Sequence, residues 1–440
     1  MLGRPTPGLR SGERHRWANW AGQQVCAPVA IERPRSEEEV AAAVRGAAER
    51  ELGVRAVGAG HSFTDIACTD GVMVDLSAMD AVLDADASSG LVRVQAGVSI
   101  HALGQALEAC GLALENQGDI DTQALAGALA TATHGTGLAF GNLSSRVDSL
   151  RLVDGRGQVR EVDGGDRLRA ARVGLGALGV VTELTLRAVP LFTLRRRDEP
   201  RPLGETLEAM EGLVEGTDHW EFWVFPYSDI ALVRSSSRSE EPPEAVDERK
   251  LWLQEYVLEN AVVGAFARTG WAFPRLIPRL NATLPRLASS TTKVDRSWRV
   301  FATRRAVRFT EMEYAIPRAS AREAVEAVLG LVERRRLPVT FPVEVRFTAG
   351  DDALLSTAHG RETCYIAVHQ YLGMEYETYF RAVERIMDGF DGRPHWGKRH
   401  YQSAATLASR YPEWERFTAV RDELDPERRF ENDYTRRVLG

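Results

Sequence analysis

Val57-Gly58-Ala59-Gly60-His61-Ser62-Phe63 carries a short apolar strand, Val54 to Val57, straight into a glycine turn that holds a histidine. Glycines leave backbone N–H groups uncovered here, so a second backbone or a charged ligand can approach closely. Upstream, Pro34 and the capping box Ser36-Glu37-Glu38-Glu39 predict a helix through the Ala-rich stretch to about Leu52. Downstream, Gly71 to Leu76 and Leu91 to Ala96 read as strands, and Ser99 caps a short helix that ends at Gly111. A hairpin, Val147 to Val153 and Gln158 to Val162 around Asp154-Gly155-Arg156-Gly157, precedes the β-branched run Val180 to Val189. Short helices and strands alternate throughout this half.

Two further glycine clusters belong to it. The small-residue run Thr122 to Thr133 ends in His134-Gly135-Thr136-Gly137. Gly174-Leu175-Gly176-Ala177-Leu178-Gly179 spells GxGxxG, but it follows the helical stretch Arg167 to Arg172 and precedes a strand. A dinucleotide fingerprint does the reverse, so this is a helix-to-strand turn whose amides can still face a ligand. Three such clusters in one predicted domain suit a phosphate-bearing cofactor that needs many backbone donors.

Beyond Pro190 the chain changes character. It holds the aromatic strand Trp220 to Phe225, a charged Pro-containing loop from Ser235 to Arg249, and an amphipathic helix near Ala321 to Arg336, which together predict a second domain. The tail from about Gly389 carries polar and aromatic motifs and is expected to return to the first domain. A length of 440 residues with 44% hydrophobic content fits two globular domains. A net charge of −7 gives no general attraction to nucleic acid or anionic lipid. No apolar run is long enough to span a membrane and no secretion signal is read, so the expected location is cytoplasmic. Cys26, Cys68, Cys110 and Cys364 lack CxxC spacing, which predicts reduced thiols and no metal site.

Val57 to Phe63, Ala126-Gly127 with Thr133 to Gly137, and Leu178-Gly179-Val180-Val181-Thr182 resemble the FAD-binding signatures of the vanillyl-alcohol oxidase flavoprotein family. Phe341-Pro342-Val343-Glu344-Val345-Arg346-Phe347 and Pro394-His395-Trp396-Gly397-Lys398 resemble active-site segments of its sugar-lactone and alditol oxidase branch, nearest to the bacterial L-gulono-1,4-lactone oxidoreductases; Asn432-Asp433-Tyr434 fits the same group. The resemblance implies an α+β, two-domain flavoprotein. A two-subdomain FAD-binding domain, residues 1–190, would be joined by the C-terminal segment 389–440, with an antiparallel-sheet substrate (cap) domain, residues 191–388, between them. Gly58, Ala59, Gly60, His61, Ser62, Gly118, Gly127, Thr133, His134, Gly135, Thr136, Gly137, Gly179, Val180, His395 and Lys398 are the implied FAD-binding residues.

Glu344 and Arg346, two apart on a predicted strand, project from one face while Phe341, Val343, Val345 and Phe347 make the other apolar. Read alone they are an exposed ion pair; by resemblance Glu344 binds substrate hydroxyls and Arg346 stabilises developing negative charge. Only Lys250, Lys293 and Lys398 among the 55 basic residues are lysine, so Lys398 stands where a compact ammonium is preferred, and by analogy it favours the reduced flavin. His369 competes with Glu344 for the role of base, with His395 and His400 behind them. His61 is the implied point of covalent attachment to the flavin. Gly118 is either a plain turn residue or a gap that leaves room for dioxygen.

The expected activity is oxidation of L-gulono-1,4-lactone, or a related aldono-1,4-lactone such as D-arabinono-1,4-lactone, at C2 with hydride transfer to flavin N5. The product is ascorbate or an analogue, placing the enzyme in ascorbate biosynthesis, with dioxygen or a redox carrier as acceptor. An alditol (xylitol or sorbitol) oxidase is the alternative, and a non-catalytic flavin-binding protein is the rival of another class. A nicotinamide-dependent reductase is a third reading, and the helix-to-strand setting of the GxGxxG turn counts against it.

Overall fold

The computed structural model describes residues 15–244, 260–303 and 307–440, so the last part of the charged stretch ending at Arg249 lies outside the described residues. Ser36 caps the helix Glu37–Glu49, its hydroxyl accepting from the Glu39 N–H at 3.2 Å. The Glu39 carboxylate reaches one residue further back than a capping box requires and accepts from the Arg35 N–H at 2.7 Å. That helix covers a three-stranded parallel sheet in the order Ala30–Glu32, Val72–Asp75, Val54–Val57. A five-stranded antiparallel sheet follows, in the order Val159–Val162, Val147–Val153, Val180–Arg187, Leu91–Gln95, Val82–Asp86. The strand Val82–Asp86 was not legible, because its mostly exposed Val-Leu-Asp-Ala-Asp sequence has no apolar alternation.

An eight-stranded antiparallel sheet forms the second unit, in the order Thr291–Arg296, Thr193–Pro202, Ile230–Ser239, His219–Val224, Val343–Thr348, Thr363–Tyr371, Phe309–Pro317, Arg393–Pro394. Residues Ser235 to Ser239, expected as loop, pair with Thr193–Pro202, because the serines there accommodate a ladder without needing a core. One face of the sheet is apolar. Phe222, Val233, Met312, Val345, Phe347 and Ile366 pack there against the helices Leu203–Gly216, Ala321–Arg335 and Glu377–Asp388. The opposite face, offset by one residue on every strand, carries the charges.

The tail couples both units. Arg393–Pro394 pairs beside Phe309–Pro317, and then Trp396, Tyr411, Phe417 and Tyr434 enter the core of the five-stranded sheet. Ala353, Leu354 and Leu355 leave the second sheet to join the same core. The Asn432 side-chain amide donates to the carbonyls of Asp65, Ile66 and Cys68 at 2.9–3.1 Å, and the Tyr434 hydroxyl donates to the Trp396 carbonyl at 2.7 Å. Asn432-Asp433-Tyr434 thus pins the loop after the glycine turn to the segment that bears Lys398. The four cysteines are unbridged, and no helix among the described residues is long and apolar enough to cross a membrane.

Candidate active site

The glycine turn and the small-residue helix Leu125–Ala130 face each other across a narrow cavity of about 140 Å³. Gly58 permits the approach, since a Cβ there would sit 2.7 Å from Ala124 Cβ. Gly60 adopts the left-handed conformation, φ +67°. A Cβ at Gly127, by contrast, would meet nothing within 4 Å, so this glycine leaves open space in the wall. Gly174, Gly176 and Gly179 complete the lining, so the GxGxxG turn faces the cavity with its backbone although it opens no helix. Arg55 fixes that turn by donating to the carbonyls of Leu175, Gly176 and Phe430 at 2.7–3.0 Å, and burial lowers its pKa to about 10.

A second cavity, about 590 Å³, opens beyond it, and His61, Ser62, Gln123 and Thr131 line both. It contains Gly118, Thr133, His134, Glu344, Arg346, His395 and Lys398, together with Asp119 and Glu311. The Thr64 and Thr133 hydroxyls and the Gln123 amide oxygen are buried on these walls without a protein hydrogen-bond partner. Two joined cavities, the first walled by glycine backbone and the second by charged side chains, with such unsatisfied polar atoms between, fit a long cofactor with a phosphate-bearing half and a reactive ring.

Four of the implied cofactor residues lie elsewhere. Gly135, Thr136, Gly137 and Val180 line neither cavity. The Thr136 hydroxyl donates to the Trp220 carbonyl at 2.5 Å and accepts from the Phe347 N–H at 3.1 Å, and the Gly137 N–H donates to the Phe347 carbonyl at 2.6 Å. A Cβ at Gly135 would come within 2.3 Å of Asn116 Oδ1. These residues dock the first unit on the second sheet. Val180 points into the apolar core behind the parallel sheet. Gly118 lines the larger cavity, but a Cβ there would press on Thr133 Cγ2 at 3.1 Å and the His134 carbonyl at 3.3 Å, a packing reason for glycine.

Across the charged face of the large sheet runs a ladder of ion pairs. Lys398 Nζ lies 2.5 Å from Glu311 and 3.0 Å from Glu313, Glu311 is 3.2 Å from His369 Nε2, and His369 is 3.8 Å from Glu344. Arg346 then contacts Glu344 and Glu221, each at 2.6 Å, with Asp119 at 3.7 Å, and Arg234 joins Glu221 to Asp198. Glu344 and Arg346 are therefore a same-face pair, but a buried one, not the exposed pair that their spacing alone suggests. Lys398 is no isolated cation: two glutamates from Phe309–Pro317 hold it.

His369 does not line the cavity. It stands behind Glu311 and Glu344, its Nδ1 3.2 Å from the Pro342 carbonyl and its Nε2 turned to the two carboxylates. Among the other histidines, burial drives His395 down to about 3 and lowers His400, which bonds Tyr434 at 3.0 Å away from the cavity wall. Burial likewise lowers the pKa of His61, whose ring stacks on Trp20 and whose Nε2 lies 3.0 Å from Thr122 Oγ1. Burial disfavours the ionised form of Glu311, but Lys398 and His369 outweigh it and hold the carboxyl at about 2. Glu313 is lowered in the same way by Lys398 and His134.

Both depressed carboxyls contribute stability that is present above their ordinary value of 4.5 and is lost as pH falls from there toward 2. In Lys398→Met the two carboxylates lose their counter-charge and must take up protons to stay buried. The variant should therefore melt well below the native protein at neutral pH, and the gap should narrow as the pH is lowered to about 4.5. Asp351, Glu384 and Asp425, raised by burial, slope the other way in both proteins and cancel in the difference. Parallel melting curves across this range would show that Lys398 does not balance the pair.

The D-arabinono-1,4-lactone oxidase family matches residues 184–438, which hold Glu344, Arg346, His369 and Lys398, and an FAD binding domain matches residues 28–163, which hold the glycine turn and Gly127. The chain is 58% identical over 424 residues to an L-gulono-1,4-lactone dehydrogenase of Mycobacterium tuberculosis, covering 96% of this chain and 99% of that one. It is 32% identical to the L-gulonolactone oxidase of Mus musculus, covering 96% and 97%. Cholesterol oxidase from B. sterolicum superposes over the full length of both chains with a TM-score of 0.81 at 17% identity, a likeness of fold alone.

Proposed function

Since the chain belongs to the D-arabinono-1,4-lactone oxidase family and is an FAD-dependent aldonolactone oxidoreductase, we propose that it oxidises L-gulono-1,4-lactone at C2, giving a keto-lactone that enolises to ascorbate. The observation that carries this reading is the pairing of Glu344 with Arg346 at 2.6 Å, both buried, on the wall of the larger cavity. FAD, when bound, supplies the hydride acceptor. The chain must then provide a route for the hydroxyl proton and cations for the charge that develops. Glu311, held at about 2, is too weak a base, and His369 has no access to the cavity, so Glu344 takes the proton. Arg346, gripped by three carboxylates, is fixed before substrate arrives and stabilises the forming alkoxide. His369 acts through its neighbours, spacing Glu311 from Glu344. Lys398, held by Glu311 and Glu313 on the wall of the larger cavity, would present a fixed charge cluster to bound FAD. In this reading residues 1–190 and 389–440 form the FAD domain and 191–388 the substrate domain. The test is turnover of L-gulono-1,4-lactone against xylitol, with dioxygen and with a dye as acceptors. Ascorbate from the lactone alone supports the proposal, and preference for xylitol replaces it with an alditol oxidase.

His61 is the residue we assign to covalent flavin attachment. Burial favours its neutral ring, and in the tautomer whose Nε2–H donates to Thr122 Oγ1 the lone pair on Nδ1 is the nucleophile. Acid precipitation should leave the yellow colour in the protein pellet. In His61→Ala the colour should move to the supernatant while FAD still binds. Colour released from the native protein would end the assignment.

A further inference from the structure

Six of the nine large apolar side chains that stand exposed among the described residues fall within 262–287: Val262, Val263, Trp271, Phe273, Leu276 and Leu287. Val262, Val263 and Trp271 lie on the helix Asn260–Ala272, and Phe273, Leu276 and Leu287 lie in the short turns on either side of the helix Ile277–Thr283, a helix pair that is firmly backed. A Cβ at Gly270 would come within 2.5 Å of Thr340 Cγ2, and the buried Asn281 amide donates to the carbonyls of Pro226 and Val339, each at 3.0 Å. Between the helices Trp271-Ala272-Phe273-Pro274-Arg275-Leu276 are exposed without interruption, Trp271 at 57% and Phe273 at 62%. Adjacent exposed aromatics of this size mark a surface that meets something else.

Charge identifies the occupant. Residues 260–290 hold Arg268, Arg275 and Arg279, together with Arg286, which pairs with Asp229 at 2.8 Å, and no aspartate or glutamate, in a chain whose net charge is −7. A second copy seated by two-fold symmetry would set this basic corner against itself. An anionic bilayer accepts both parts, the aromatics in the headgroup boundary and the guanidiniums on lipid phosphates. We propose that the corner formed by Trp271, Phe273 and Leu276, with Arg268, Arg275 and Arg279, docks the protein peripherally on an anionic lipid surface.

Flotation of the FAD-loaded protein with phosphatidylcholine vesicles, with and without phosphatidylglycerol, tests this. The native protein should float with the anionic vesicles, and added salt should release it. Trp271→Ser with Phe273→Ser should lower the partition coefficient by about tenfold or more, the loss expected when two aromatic side chains are no longer buried. Arg275→Glu with Arg279→Glu, at exposed positions, should abolish the preference for phosphatidylglycerol. Neither pair lines a cavity, so lactone turnover with a soluble acceptor should be unchanged in both. Failure of the native protein to float, or flotation unaffected by both pairs, would overturn the proposal. So would a homodimer that the aromatic pair dissolves while vesicles remain unbound, which would make the corner a contact between copies.

Discussion

Arg346→Met should slow reduction of the bound flavin by lactone about 10³-fold while FAD remains in place. The guanidinium spans two glutamates, Nε on Glu221 and Nη2 on Glu344, both at 2.6 Å. Burial works against its charge, but Glu344, Glu221 and Asp119 together raise its pKa well above the ordinary value, so it stays charged throughout catalysis. Removing it also strands buried carboxylates, which should cost about 3–5 kcal/mol of stability. The two effects separate in a double variant. Adding Glu221→Gln should recover part of the stability and none of the rate. Arg346→Lys should restore little, because one ammonium cannot make both contacts. Rapid-reaction absorbance of the flavin measures the rate, and thermal melting the stability. A variant that reduces its flavin at the native rate would remove Arg346 from the reaction.

Glu344→Gln should lower the same rate by about 10²–10⁴-fold with little change in lactone binding, since the amide keeps the shape and loses the proton acceptor. The neighbouring groups make this a discriminating substitution. His369→Gln removes a ring whose nitrogens face the Pro342 carbonyl and the two glutamates and whose carbons pack on Phe309 and Phe341, and it should shift the pH profile with a smaller loss of rate. If instead His369→Gln costs the full factor and Glu344→Gln does not, the proton goes to the imidazole and the cavity must open further than it does here.

Much of this was legible in the sequence, for local reasons. A strand running into Gly58-Ala59-Gly60 and a capped helix beside it are short-range signals, and the order of elements around GxGxxG, helix before and strand after, was enough to reject a strand-to-helix Rossmann fingerprint there. The Glu344 and Arg346 pair was visible because a strand repeats every two residues. The same period runs through Glu311 and Glu313, alternating with Met312 and Tyr314, so these partners of Lys398 carry the same local signal. Glu221, a lone acid amid Trp220, Phe222 and Trp223, was a similar signal. Burial is a different matter. That His369 stands behind the wall follows from the pairing of its strand with Phe309–Pro317, which sets it opposite Glu311, and that Thr136 and Gly137 dock two sheets follows from pairings more than 80 residues apart along the chain, Thr136 to Trp220 and to Phe347; no local pattern contains either.

Anaerobic mixing of the FAD-loaded protein with L-gulono-1,4-lactone, followed by flavin absorbance, tests the assignment most directly. Bleaching by the lactone and not by xylitol is the predicted result, lost in Arg346→Met and Glu344→Gln, and the rate of recovery on admitting air tells dioxygen from a redox carrier as the acceptor. A flavin that stays oxidised with the lactone, or that bleaches only with xylitol, would contradict it.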